Sequence, residues 1–436
     1  TVPLDTSTHD RPNRRVQTWT VATTGKDSDA HVKRAYRQRA RATEADSEVS
    51  SPTTTSLRVS VPPPVGHRRA SAQGRAARTV ALLAAALAVA LFTGCGSERV
   101  AARSEAGALV AVSAPARGPQ AGLARAFATG VAEGVRRVQG HGGPALEVVR
   151  LDSSAPDGRG TDPERVAANV ATLLRRGRVR LYLGDLDSQA TAVALPELNR
   201  AGVPVVTGAP GAVGFDAWGP GRLTGEPARY YPHGNRTLVR LVPNDSARTR
   251  LAAQLFARQR CRSSVVLSDG TLDGEAARLA FRAAPRTAGL RAPTEWTYEG
   301  GRLDTAVAAE LAAAPRPLCV LAATGGGARG LALLASAAAA ASGGVVVAFD
   351  RFDARARALV ARRARSRVLV VTWFRSPGED AYRELGRRAG RVAARALAAR
   401  PGDRLSLARL MERLRRETER EALSSLRAAP LARPRD

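Results

Sequence analysis

The sequence predicts an α/β protein of two lobes, each a parallel β-sheet flanked by helices, with the lobes joined by hinge crossovers. Three observations carry this. From residue 108 onward, short apolar β-rich runs alternate with stretches whose apolar residues fall at helical spacing. The alternation runs through twice, each time over about 130 residues, enough for a lobe to bury roughly two-thirds of its unfolded surface. Arg178–Thr207 supplies a complete strand, turn, helix and strand. Two strands joined through one helix must lie parallel, and such a unit sets its polar turn at the carboxyl end of the sheet, where open α/β sheets take ligands.

In lobe one, residues 108–242, strands are predicted at Ala108–Val112, Leu146–Leu151, Val179–Leu183, Val203–Val206 and Leu238–Val242. Helices are predicted at Gln120–Gln139, Pro163–Arg176 and Gln189–Arg200. Asp187 or Ser188 can cap the last of these, and Gly202 can end it in the left-handed conformation. Gly208–Thr237 is a long Gly- and Pro-rich loop carrying Phe215, Trp218, Tyr230 and Tyr231, of the kind that is usually functional or partly mobile. Pro243-Asn244-Asp245 reads as a hinge and helix cap.

Lobe two, residues 243–375, repeats the pattern with strands at Ser264–Ser268, Glu295–Tyr298, Leu318–Ala323, Val345–Phe349 and Val368–Thr372. Both lobes are therefore Rossmann-like. Residues 376–400 contain a helix, Asp380–Ala399, that should return to lobe one, and 401–436 hold a charged amphipathic helix, Leu405–Leu426, before a frayed end. No further strand is legible after Thr372.

Ahead of the lobes, residues 1–64 are polar and too poor in apolar side chains to fold. They read as a disordered leader, or as a segment upstream of a start near Val61 or Val65. Residues 65–94 carry the sharpest signal in the chain. Arg68, Arg69, Arg75 and Arg78 precede thirteen apolar residues, Val80–Phe92, and then Thr93-Gly94-Cys95. Thirteen residues are too few for a permanent membrane span and suit a signal-peptide core. This arrangement resembles a bacterial lipoprotein signal, which implies lipidation of Cys95, although Phe92 stands where Leu is usual. Residues 95–107 would be a tether.

The net charge of +28 is almost wholly Arg, because Lys occurs only at 26 and 33. The arginines are spread along the chain, aromatics are only 4 %, and no nucleic-acid motif appears, so a coding bias explains the charge better than nucleic-acid binding does.

Four pieces, in order, resemble the type I periplasmic binding proteins, the solute receptors of the leucine/isoleucine/valine-binding class. They are Leu146–Asp152 with DPERVAANVATLL, the stretch ALPELNRAG–VPVVTGAP, LVRLVPNDSARTRLAAQLF, and SSVVLSDGTLDGEAARLAF. The resemblance implies capture of a small polar, amino-acid-like solute for an ABC importer or a sensor, outside the cytoplasm and without chemistry on the ligand. It also implies no cofactor, and ligand groups on loops after the strands of both lobes: Asp187, Ser188, Thr207 and Ala209 in lobe one, and Asp269, Thr271, Asp273, Thr324 and Asp350 in lobe two. Ser188 and the helix start behind it would take a carboxylate, and Asp273 and Asp350 an ammonium or hydroxyl group. Gly211 falls near where the family commonly has Thr, and Asp273 near a replaced family Tyr.

One motif competes. Gly325-x-Gly327-x-x-Gly330 follows a strand and opens a helix, and Asp350 lies twenty residues on, as in the dinucleotide fingerprint. Yet the unit stands third in its lobe, whereas the fingerprint belongs to the first βα turn. A nucleotide-dependent oxidoreductase and a non-binding scaffold lipoprotein therefore stand as alternatives. With Cys95 lipidated, Cys261 and Cys319 remain as an even pair in an oxidising compartment, either bridged or as two separate buried thiols. No metal motif is present, and His67, His141 and His233 are isolated.

Overall fold

A computed structural model describes residues 108–300, 303–374, 377–398, 406–423 and 426–432. The leader, the signal segment, Cys95 and the tether expected over 1–107 lie outside the described residues. Among the described residues no helix is long and apolar enough to cross a membrane.

The first sheet contains β1 (Ala108–Ala114), β2 (Leu146–Asp152), β3 (Val179–Leu183), β4 (Val205–Thr207) and β5 (Leu238–Arg240), in the order β2-β1-β3-β4-β5. All its pairs are parallel, for example Val110 opposite Val148 and Leu181. Its helices are α1 (Ala121–Gln139), α2 (Pro163–Arg175) and α3 (Ser188–Arg200). Both faces are covered, so β1 reads as a continuous buried run from Leu109 to Ala114 rather than an alternating one.

The chain crosses into the second lobe through α4 (Asp245–Arg258), whose first turn is capped by the Asn244 side chain accepting from the Ser246 N–H. There follow β6 (Ser263–Ser268), α5 (Leu272–Thr287), β7 (Thr294–Thr297), α6 (Thr305–Ala313), β8 (Leu318–Ala323), α7 (Ala328–Ala340), β9 (Val345–Phe349), α8 (Ala354–Arg363) and β10 (Arg367–Thr372). Then come α9 (Glu379–Leu397), α10 (Leu407–Glu421) and β11 (Arg427–Ala432), and the second sheet has the order β11-β10-β9-β8-β6-β7.

The tail differs from the frayed end that the sequence suggests. Helix α10 stops at Glu421, with Leu410, Met411 and Leu414 buried in the core of lobe one. The chain then adds β11 antiparallel to β10, with Val370 opposite Ala429. The segment RAAPLA is a poor strand former by composition, but it covers an edge of β10 that would otherwise leave a row of backbone groups unpaired. Pro430 is tolerated because β11 is itself an edge strand.

Helix α9 returns to pack along α1, and four glycines set the distance. A Cβ on Gly130 would strike the Arg383 carbonyl, and one on Gly134 the Arg387 carbonyl. In the same way Gly386 faces the Phe127 carbonyl and Gly390 the Val131 carbonyl. The two backbones touch there because no side chain intervenes.

Strands β6 and β8 are neighbours, and Cys261 and Cys319 are bonded to each other with Cα atoms 5.8 Å apart. The loop after β4 is packed: Phe215 and Tyr230 meet edge to face at 4.8 Å, and the Tyr231 hydroxyl donates to the Phe215 carbonyl at 2.6 Å. Of its aromatics only Trp218 is exposed, with Arg222 stacked on it at 4.2 Å.

Candidate functional site

Each sheet reverses its strand order once, between β1 and β3 in the first and between β6 and β8 in the second. Open parallel sheets take ligands at the carboxyl ends of the strands beside such a reversal. Here the two reversals face each other across one cleft of about 620 Å³, lined from lobe one by Gln120, Thr161 and Asp187 and from lobe two by Asp269, Thr271 and Asp273.

On the wall of lobe one, Asp187 caps α3, accepting the Ala190 N–H at 2.8 Å and the Thr161 hydroxyl. Burial pushes its carboxyl above the ordinary carboxylate range, and the neighbouring Asp273 charge adds to that. Gln120 is almost fully buried, and its amide nitrogen has no hydrogen-bond partner among the described residues. On the wall of lobe two, Asp269 ties two loops together. It accepts the Thr271 N–H at 3.1 Å, the Thr271 hydroxyl at 2.6 Å and the Gly325 N–H at 2.9 Å. Burial raises its carboxyl as well.

Behind the cleft, starting from Asp273 on its lining, runs a buried chain of charges. Asp273 accepts from the Ser188 N–H at 2.8 Å and the Ser188 hydroxyl at 2.6 Å, and forms an ion pair with Arg351 at 2.7 Å. Arg351 reaches Asp245 at 3.2 Å, and Asp245 pairs with Arg248 at 2.8 Å. Burial opposes the Arg351 charge, yet Asp273 and Asp245 hold its pKa above the ordinary value. Arg248 is shifted the other way, because burial outweighs its single close carboxylate. A Cβ on Gly211 would collide with the Asp245 carboxylate, so glycine is required there.

Of the residues expected from the sequence, Asp187, Asp269, Thr271 and Asp273 line the cleft, and Ser188, Thr207, Ala209, Thr324 and Asp350 do not. Ser188 lies just beneath it, spent on Asp273. Thr207, Ala209 and Thr324 are buried. Asp350 is turned inward, accepting from Thr372 Oγ1 at 3.0 Å and the Gly378 N–H at 3.3 Å, and burial raises it to about 6. The sequence reading missed Gln120, Asp245, Arg248 and Arg351. The spacing Asp245-x-x-Arg248 was a usable signal for a paired turn, whereas nothing distinguished Arg351 from the other arginines.

The glycine fingerprint has a packing explanation. The Gly325 N–H is held by Asp269, and the Ala328 N–H at the start of α7 donates across the cleft to the Arg159 carbonyl at 2.7 Å. Cβ atoms on Gly326 and Gly330 would strike the Gln120 amide and the Gly325 carbonyl. Two of the backbone donors that a pyrophosphate would need, at Gly325 and Ala328, are therefore already engaged.

A family model described as "Periplasmic binding protein" matches residues 109–407. The chain belongs to that family. As a type I periplasmic binding protein it shares its fold with a leucine binding protein from Thermotoga maritima, at 18 % identity and TM-score 0.54, with 71 % of this chain and 87 % of that one covered. A solute-binding protein of an ABC transporter from R. palustris, solved with benzoate, gives 17 % identity and TM-score 0.55, covering 71 % and 85 %. A branched-chain amino acid transporter substrate binding protein from Streptococcus pneumoniae, solved with isoleucine, gives 14 % identity and TM-score 0.53, covering 71 % and 87 %. These likenesses establish the fold. No curated protein matches the chain in sequence.

Proposed function

We propose that this periplasmic binding protein is an extracytoplasmic solute receptor that closes its two lobes on a small polar molecule and hands it to an ABC importer or a sensor, without chemistry on the ligand. One observation carries the reading: a polar cleft of about 620 Å³ lies where the ligand-binding ends of two parallel sheets meet. Asp187 and Asp269 offer acceptors, and the unpaired Gln120 amide and the guanidinium groups of Arg159, Arg229 and Arg329 offer donors. A solute that carries both donors and acceptors, such as hydroxyl or amide groups, satisfies such a wall. An amino-acid carboxylate loses the partner expected for it, because both Ser188 donors already serve Asp273.

Anchoring through Cys95 completes the proposal and rests on the basic run, the short apolar core and Gly94-Cys95. Mass spectrometry of membrane-extracted protein should find a mature chain starting at a diacylglyceryl cysteine. An N-terminus upstream of Cys95 in most of the protein would remove the anchor.

The test of the receptor is a melting-temperature screen against polyols, sugars, amines, amides, amino acids and nicotinamide and flavin nucleotides. Free ligand at a hundredfold excess over Kd stabilises by about 2.7 kcal/mol, a readable shift. Shifts by nucleotides alone would sink the receptor reading in favour of the oxidoreductase. The lobe-to-lobe bonds at Ser188 and Arg159 favour a second reading, a scaffold lipoprotein that no longer exchanges solute. A panel that shifts nothing selects it.

A further inference from the structure

We infer that Asp273 is a tethered carboxylate that fills the anion-binding start of α3 and latches the lobes from within, which excludes carboxylate-bearing solutes from Ser188. The inference deepens the solute-receptor reading and rests on it only for that exclusion.

Asp273 lies in the first turn of α5, in lobe two, and is 2 % exposed. Its carboxylate meets three donors of lobe one: the Ser188 N–H at 2.8 Å, the Ser188 hydroxyl at 2.6 Å and the Gly211 N–H at 3.5 Å. The direction of the hydroxyl bond is fixed, because Ser188 Oγ also accepts the Ala212 N–H at 3.1 Å and so has its own proton free for Asp273. The first N–H groups of a helix are unpaired within it and carry the positive end of its dipole, so this is where an anion is held. Asp273 occupies that place with an acid from the opposite lobe.

The charge is balanced on the other side. Arg351, also 2 % exposed, sits 2.7 Å from Asp273 and 3.2 Å from Asp245 at the start of the helix that follows the crossover. Arg248 closes the line on Asp245. A buried carboxylate without partners would be expelled or neutralised. This one has donors from lobe one and a guanidinium from lobe two, so it contributes to closure with no solute present. A solute carboxylate at Ser188 would have to displace it and leave Arg351 with one partner instead of two.

The test removes the carboxylate and gives it back as a small molecule. Formate is the group that Asp273→Ala deletes, so the full chain carrying Asp273→Ala is melted against sodium formate, with sodium chloride at equal ionic strength as control. The variant should melt about 6–10 °C lower than the unmodified chain, as expected when one partner of a buried ion pair is lost. Formate should restore at least half of the loss in a saturable way, chloride should not, and the unmodified chain should ignore both. Small-angle scattering should show a larger radius of gyration for the variant, reversed by formate.

If the variant melts with the unmodified chain, or formate and chloride act alike, the latch is overturned. Should Asp273→Ala fail to fold, Asp273→Asn keeps the shape and removes the charge; it must melt lower and gain nothing from formate, and an unchanged melt overturns the inference. Formate is not the solute. A metabolite that shifts the unmodified chain therefore upholds the receptor whatever formate does, and formate rescue upholds the latch even if no metabolite is found.

Discussion

Replacing Asp185 by Asn should remove one large pH-dependent contribution to stability. Asp185 follows the β3 turn, is 1 % exposed, and lies 3.1 Å from the Tyr182 hydroxyl through each carboxylate oxygen. Burial pushes its pKa from 3.8 to about 7; the Ser113 hydroxyl opposes the rise and the Asp187 charge adds to it. The folded chain therefore holds this proton more tightly than the unfolded one. The contribution is complete below pH 3.8 and is lost as pH rises to about 7. The gap between the two values corresponds to about 4 kcal/mol once both states are ionised. Asn stands in for the neutral acid without ever ionising. Urea unfolding of wild type and Asp185→Asn at pH 5, 6.5 and 8 checks this. The variant should gain about 2–4 kcal/mol over wild type at pH 8 and about 1–2 kcal/mol at pH 5. Asp350 and Asp269 are raised in both proteins, so they cancel in the difference. Parallel profiles, with a constant offset between the two proteins, would refute the reasoning.

Three further outcomes follow from the packing. Thiol titration of the unfolded, unreduced protein should find neither Cys261 nor Cys319 free, and reduction should remove about 4 kcal/mol, the chain-entropy value for a separation of 58 residues. Gly386→Ala places a methyl group against the Phe127 carbonyl and should destabilise by about 1–3 kcal/mol in thermal melts, whereas Gly177→Ala, with open space around its Cβ but a φ of +67°, should lose only the smaller left-handed penalty of about 1–2 kcal/mol. Leu414→Ala empties a fully buried site under α10 and should cost about 2–5 kcal/mol, with limited proteolysis after Glu421 as the local readout.

What the sequence made legible follows from how local each signal is. Strands buried on both faces announce themselves as apolar runs, and β1, β8 and β9 were readable for that reason, as was the buried end of β3, Leu181–Leu183. The caps at Asp187 and Asn244 were readable because a cap involves residues two or three apart. The strand β11 was not, since Ala and Pro adopt it only because the edge of β10 is there to pair with. The fate of Ser188 was illegible for the same physical reason. Its partner Asp273 is 85 residues away, and no spacing rule links them. Gly211 and Asp273 stood out as departures from the resembled pattern without a visible cause. The structure joins them, since Gly211 makes room for Asp245 and Asp245 holds the arginine that pairs with Asp273.

The topology itself explains why acids gather in the cleft of so basic a chain. Each parallel sheet sends its helix starts to the carboxyl end of its strands, so two facing sheets point the positive ends of several helices at one another. Those ends must meet anions or acceptors when the lobes close. The chain provides them from across the cleft: Asp273 for α3, the Arg159 carbonyl for α7, and Asp353, which accepts the Gly122 N–H of α1 at 3.1 Å while capping its own helix α8. Among the described residues Arg159, Arg229 and Arg329 also line the cleft, and Arg351 and Arg248 pair with their two carboxylates behind it. The side-chain donors at the cleft are then the Gln120 amide and those three guanidinium groups, set beside the acceptors of Asp187 and Asp269. An anion would have to compete with the chain's own carboxylate for the start of α3, where Asp273 already takes both Ser188 donors.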